Sequence, residues 1–454
     1  MGTGISQYRR VRRLASRRDR GKLAPVNLLR LLVPAAVVAV LGACRSQPPD
    51  PTAGPNSQVS TQVTPPSSAP STAAAAEGGT AAAGDAQSPQ PTADEPLAGT
   101  NFVKEVQAGF RVAACAGDDS WIPDGIDKKM IDTHCQMLQP GYAEYKREWL
   151  AVAMPFIAKI RPPNTPTTVV YPFGGGDLVS ALATFPDALE LTTISLEIAG
   201  DVRPIMKADN KRLEKELATL REHLAKLFLK AHSRTVNLDI ETKGAIPGEA
   251  AFTMAALAIH GFEPVSYRYF DFNPDGTLKW LGEEDFAKAD KAKSRAPFSN
   301  AEIRFRKPGD KQVRVLRHVA YDLSDANLKR NPALMKYLDL LTSAPRGAKV
   351  ATMTKAASHL LWDDANFSVI RDWLMTHTDW MISDTTGVPP RIAKKYGFVQ
   401  DFYGLYEGAE PFGTVNNTDM SAFIAMAKNN QPLPFRYGYP DNHSHGHIVV
   451  TRKN

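Results

Sequence analysis

The run Val169-Val170-Tyr171-Pro172-Phe173-Gly174-Gly175-Gly176-Asp177 passes from a β-rich stretch into three glycines and then a helical pattern. Glycines there let backbone N–H groups approach an anion or a sugar, and a helix N-terminus adds partial positive charge. Gly174, Gly175, Gly176 and Asp177 are therefore the candidate ligand-binding set, with a purely structural tight turn as the alternative. Lys355, His359, Asp363 and Asp364 gather around the start of a second helical pattern and offer acid/base chemistry, although acids near a helix N-terminus are also simply stabilising. His443, His445 and His447 alternate, so on a strand they share a face as metal ligands can; a solvated turn explains them equally. Asp239 and Glu241 alternate too, which fits a pair of catalytic carboxylates or a charged strand face.

The layout around 167–197 resembles that of nucleotide- or S-adenosylmethionine-binding folds. Glu197 ends the next β-rich run, where Rossmann-like proteins hold a ribose hydroxyl. The chain departs from those folds in lacking the Gly-x-Gly-x-x-Gly spacing, and Tyr171-Pro172 stands where methyltransferases carry an acid. Ser383-Asp384-Thr385-Thr386-Gly387 lacks the uninterrupted, duplicated Asp-Thr-Gly of aspartic proteases, which leaves Asp384 as a turn former or a pocket acid. No serine-hydrolase elbow, zincin helix, Walker loop, Cys-x-x-Cys pair or EF-hand is present. An enzyme here would be a hydrolase using Asp177, Glu197 or Asp384 as its acid or base. The leading expectation is a ligand- or partner-binding domain.

The N-terminal segment bears on which chemistries are open. Arg9, Arg10, Arg12, Arg13, Arg17, Arg18, Arg20 and Lys22 precede an apolar run from Leu31 through Ala43 that is too short to span a bilayer. The run ends in Leu41-Gly42-Ala43-Cys44, which resembles the lipobox of bacterial lipoproteins. That resemblance implies a signal peptide over 1–43, lipid on Cys44 and a cell-envelope location facing the periplasm or exterior; Arg45 after the cysteine mildly favours the outer membrane. An exported domain has no ready supply of NAD, ATP or S-adenosylmethionine, so no cofactor is expected, and the partners expected are the membrane and a small ligand or envelope protein. The chain's net charge of +6 comes from this segment. Without it the remainder is slightly acidic, which argues against nucleic-acid binding.

Residues 44–100 are rich in Pro, Ser, Thr, Ala and Gly and cannot bury enough apolar surface to offset their ordering entropy. They read as a disordered tether with a reach of about 40 Å. Cys115 and Cys135 read as a disulfide, contributing roughly 3 kcal/mol in the chain-entropy model.

Residues 101–454 read as one large α/β domain, or two intimate lobes. The expected sheet is mixed and at least partly parallel, with flanking helices and a Rossmann-like element around 167–197. Leu213, Leu217, Leu220, Leu224 and Leu227 mark a helix over 209–231. The stretch between strands at Pro264 to Phe272 and Ala301 to Phe305 reads as a polar, Lys-rich connection. Pro434 to Tyr439 and Ile448 to Thr451 read as C-terminal strands. Val169 through Glu197 and Val350 through Asp384 echo each other as strand, turn, helix and strand ending in an acid.

Overall fold

Apolar residues fill the run from Thr168 to Pro172 because helices cover both faces of that strand. Val169 and Tyr171 pack into one hydrophobic cluster, and Val170 into another on the opposite face. The computed structural model of the chain describes residues 97–230, 244–343, 349–406, 417–438 and 446–453.

The first part of the order is α1 (Val103–Val112), α2 (Lys128–Tyr145), a π-helical turn (Lys146–Leu150), α3 (Ala151–Ile160), β1 (Thr168–Pro172), α4 (Leu178–Thr184), β2 (Glu190–Ser195), α5 (Asn210–Lys230) and α6 (Gly248–His260). An antiparallel insertion follows: β3 (Glu263–Phe272), β4 (Leu278–Trp280), α7 (Glu283–Ala292) and β5 (Asn300–Arg306). Next come β6 (Arg314–Ala320), α8 (Asp325–Arg330), α9 (Ala333–Leu341), β7 (Val350–Thr354), α10 (Ser368–His377) and β8 (Thr378–Ser383). The chain closes with α11 (Pro390–Lys395), β9 (Phe398–Gly404), α12 (Asn417–Met426) and β10 (His447–Lys453).

All ten strands join one sheet in the order β4-β3-β5-β6-β2-β1-β7-β8-β10-β9. The five central strands, β6-β2-β1-β7-β8, are parallel, and the pairs toward both edges are antiparallel. Numbered among themselves these five run 3-2-1-4-5, the doubly wound order whose switch point lies between β1 and β7. The echo between Val169–Glu197 and Val350–Asp384 is thus two βαβ units leaving that shared pair in opposite directions. Helices α1 to α6 pack on one face, and α8 to α11 on the other.

The five leucines of α5 are all buried, as their spacing requires. The polar, Lys-rich connection instead contains β4 and α7, the helix opening where Asp285 accepts the Gly282 N–H at 3.0 Å. The expected strand over Pro434 to Tyr439 is absent from its described part, 434–438, where Tyr437 makes only an isolated bridge to Gly446. Proline contributes no ladder donor there, and Gly438 at φ 64° turns the backbone out of the extended region.

On the β3-β5-β6 extension, Arg268, Glu302 and Arg317 stand directly opposite one another across three strands. Glu302 is fully buried and takes Arg268 at 2.5 Å, Arg317 at 2.9 Å and Arg304 at 3.2 Å. Burial alone would raise its pKa; Arg317, Arg268 and Arg304 together outweigh that and hold it down.

Candidate functional site

In open α/β sheets ligands bind outside the carboxyl ends of the strands at the switch point. Here that place receives the loop after β1, with the glycine turn, and the loop after β7, which begins with Lys355. In the first, the Asp177 N–H closes the turn on the Gly174 carbonyl at 3.1 Å. A side chain at Gly174 would meet the Tyr171 ring at 2.6 Å, so close packing of that tyrosine accounts for this glycine. Asp177 does not cap α4 with its side chain. Its Oδ2 instead accepts from Tyr171 Oη at 2.9 Å and pairs with Lys355 Nζ at 2.7 Å. Lys355 also donates to Ser180 Oγ, on α4, at 2.6 Å.

The loop after β7 is held in an uncommon conformation. Ala356, Ser358 and His359 all lie at positive φ, 53°, 51° and 58°, a region costly to non-glycine residues and concentrated at functional sites. Asp384, just beyond β8, fixes the loop: its Oδ2 accepts the Ala356 N–H at 3.0 Å, and Thr386 Oγ1 accepts the Ala357 N–H at 2.7 Å. The Asp384 Oδ1 in turn accepts from the Thr386 N–H, 2.9 Å, and hydroxyl. His447 on β10 braces the next residue, its Nε2 accepting the Thr385 N–H at 2.9 Å. Burial pushes the His447 pKa down to about 4, so the ring is neutral near pH 7.

Buried polar atoms without hydrogen-bond partners among the described residues collect around this cluster. They are Asp177 Oδ1, Thr354 Oγ1, both ring nitrogens of His359, His447 Nδ1 and Tyr437 Oη. His359 is 5% exposed and packs edge-on against Trp362 at 4.8 Å. Its pKa is lowered by burial, with Asp384 acting in the opposite sense. Burial, Asp384 and Asp177 raise the Tyr437 pKa, which puts its phenol within the field of both carboxylates.

Asp177 and Asp384 therefore join one cluster with Lys355 and His359. Glu197 stands half-buried past the end of β2, its backbone N–H bonded to Ser195 Oγ and its carbonyl to His318 Nε2. Asp363 and Asp364 serve the helices: Asp363 accepts from Ala365 and Asn366 N–H groups ahead of α10, and Asp364 pairs with Arg371 and Arg391. Cys115 and Cys135 form a disulfide with Cα atoms 5.3 Å apart. Cys44, Asp239, Glu241, His443 and His445 lie outside the described residues. Of the histidine triplet only His447 is described, and its Nε2 is engaged; no group of three metal-ligating side chains occurs among the described residues.

Residues that no sequence motif flagged complete the picture. Ser180 and Tyr437 enter the cluster through tertiary packing alone. The π-helical turn places Tyr145 and Trp149 in a stacked pair, 5.3 Å between centroids, beside a cavity of about 430 Å³ whose walls include Phe228, Phe435, Arg221 and Arg436. π-turns inside α-helices recur at functional sites, and this one sits one residue-pair away from the cluster, Trp149 Nε1 donating to the Arg436 carbonyl at 2.6 Å.

Fold and site together define an α/β protein with a strained, polar switch-point cluster. No helix among the described residues is long and apolar enough to cross a membrane. Compared with family models, curated proteins and solved structures, the chain matches none.

Proposed function

We propose that this chain is an exported protein, tethered to a cell-envelope membrane by lipid on Cys44, whose α/β domain binds a small ligand at the switch point between β1 and β7. The observation that carries the ligand part is the gathering of unpartnered buried atoms from Asp177, Thr354, His359 and Tyr437. Burying such atoms costs about 1–3 kcal/mol each, so their clustering where doubly wound sheets bind ligands supports a site completed by a bound molecule. The positive-φ loop after β7 supports the same reading. Lipid tethering rests on the lipobox resemblance at Leu41-Gly42-Ala43-Cys44 and the basic segment before it.

The test is a metabolite panel read by thermal shift, repeated with His359→Phe. A ligand that raises the melting temperature of the parent and not of the variant supports the site; shifts equal in both proteins sink it. Replacing Cys44 by Ser tests the tether separately. Undiminished membrane fractionation of that variant, with no acyl group on the parent, refutes anchoring.

One observation favours a second reading, an enzyme using a nucleotide or S-adenosylmethionine: the central strand order is the doubly wound one. The turn itself favours it less, because a carboxylate, Asp177, stands where a phosphate would be received. A hydrolase in which Lys355 activates Ser180 is disfavoured by the direction of its bonds. An ammonium paired with Asp177 donates to Ser180 and takes no proton from it.

A further inference from the structure

We infer that the cavity between α2 and α5 is a second binding site, one that takes a small monocarboxylate with an apolar body. Its volume of about 430 Å³ falls within the range of about 300–1,000 Å³ usual for small-molecule sites. Tyr145 and Trp149, the stacked pair at the π-helical turn, line it together with Phe228 of α5 and Phe435. Met137 lines it too and is 60% exposed, an apolar side chain left in water beside an apolar hollow. Gly141 lies inside α2, where glycine is less favourable than alanine, and a Cβ there would meet only Phe228, at an ordinary 3.6 Å. Packing therefore does not demand glycine at this position, and its missing side chain leaves room between the two helices.

Arg221 sets the sign of the ligand. It lines the cavity from α5, on the same helical face as Ala225 and Phe228. Its Nη1 donates to His134 Nδ1 at 2.8 Å, and His134 Nε2 donates to the Ala113 carbonyl at 3.1 Å. Burial holds the His134 pKa down to about 4, so the neutral ring orients the guanidinium without cancelling its charge. Arg221 makes no ion pair among the described residues. Burial lowers its pKa, with Glu214 and Glu222, both exposed on the same helix, acting in the opposite sense. A guanidinium that is partly stripped of water, oriented and turned to a hollow has donors left for a carboxylate, which it can take in two parallel N–H···O bonds.

The other charges limit the ligand to one negative group. Glu144 and Glu148 line the same cavity, as does Arg436. A dianionic phosphate would meet both carboxylates, and an amine would meet Arg221. A monocarboxylate carries the least charge that engages Arg221, and the four rings receive its apolar remainder. No side chain lining this cavity belongs to the switch-point cluster, so the two sites stand or fall separately.

The experiment is calorimetric titration of the full chain in detergent, with titration into detergent alone as the blank. The probes are 3-phenylpropionate, octanoate, the neutral isostere 3-phenylpropionamide and phenyl phosphate. At least one monocarboxylate is expected to bind about tenfold or more tighter than the amide and than phenyl phosphate, and the better of the two tells whether the body is aromatic or aliphatic. Arg221→Gln should weaken that carboxylate about thirtyfold, the loss of charge-assisted hydrogen bonds, and leave the affinity for the amide unchanged. General damage to the fold would weaken both. Ala225→Trp, at an exposed position on the cavity wall, should abolish binding and decides the matter if Arg221→Gln fails to fold. Lys288→Ala, on the exposed face of α7, should change nothing. Equal binding of acid and amide, tighter binding of phenyl phosphate, or carboxylate binding that survives either cavity variant overturns the inference. So does silence of every probe.

Discussion

Lys355 Nζ lies 2.7 Å from Asp177 Oδ2, with side-chain exposures of 1% and 10%, and so ties the loop leaving β7 to the loop leaving β1. A buried pair of this kind is expensive to break by halves, because the surviving charge loses its partner without regaining water. Lys355→Met alone and Asp177→Leu alone are each expected to cost about 3–5 kcal/mol in urea unfolding. The double variant should cost clearly less than the sum. Additive losses would mean that the two side chains do not act as a pair.

Glu302 gathers three arginines on the far extension of the sheet. Glu302→Gln keeps the shape and removes the charge, leaving Arg268 and Arg317 crowded without their common counter-ion. A loss of about 3–5 kcal/mol is expected, with the protein expressing poorly or melting far below the parent. Glu284→Gln, whose carboxylate is exposed and 3.7 Å from Lys288, should leave the melting temperature nearly unchanged and serves as the control.

The parts legible in the sequence were those governed by local periodicity. The glycine turn after β1, the α5 leucines and the two echoing βαβ segments follow from side-chain alternation and helical spacing, which depend on neighbours in the chain. Asp177 and Asp384 were legible as candidates because acids just past a strand fall at the sheet's carboxyl edge. Ser180 was not, since its role depends on Lys355, 175 residues further along. Tyr437 was read as part of a strand because nothing in Pro434 to Tyr439 announces that Gly438 must turn at positive φ. Helix α7 was hidden by its charge: only Phe286 and Ala289 face the core, too few to show an apolar stripe.

Buried histidines make stability depend on pH. Burial holds His134, His260 and His447 down to about 4, against about 6.5 in an unfolded chain. Between those values the unfolded chain binds protons that the folded protein does not. Their contribution is therefore complete above pH 6.5 and is lost progressively as pH falls toward 4. His447→Gln keeps an acceptor for the Thr385 N–H and removes one titrating group. Its unfolding free energy, measured from pH 7 to 4.5, should fall less steeply than the parent's by up to about 1.4 kcal/mol per pH unit. Parallel curves would show that His447 does not carry that proton.

Gly438 connects the backbone fold to the cluster, which makes it the most economical place to perturb Asp384 without touching a charge. Its φ of 64° is costly for an L side chain, and a Cβ there would overlap the Asp384 side chain. Gly438→Ala therefore carries two penalties: backbone strain of about 1–3 kcal/mol and displacement of the carboxylate that holds Ala356. Gly309→Ala, at φ 79° with open space around it, carries only the first. The difference in unfolding free energy between the two variants isolates the Asp384 contact. Gly438→Ala is expected to be the less stable by about 1–2 kcal/mol, the usual cost of a disturbed buried hydrogen bond to a charged group. Equal losses would show that the loop after β7 keeps its shape without Asp384.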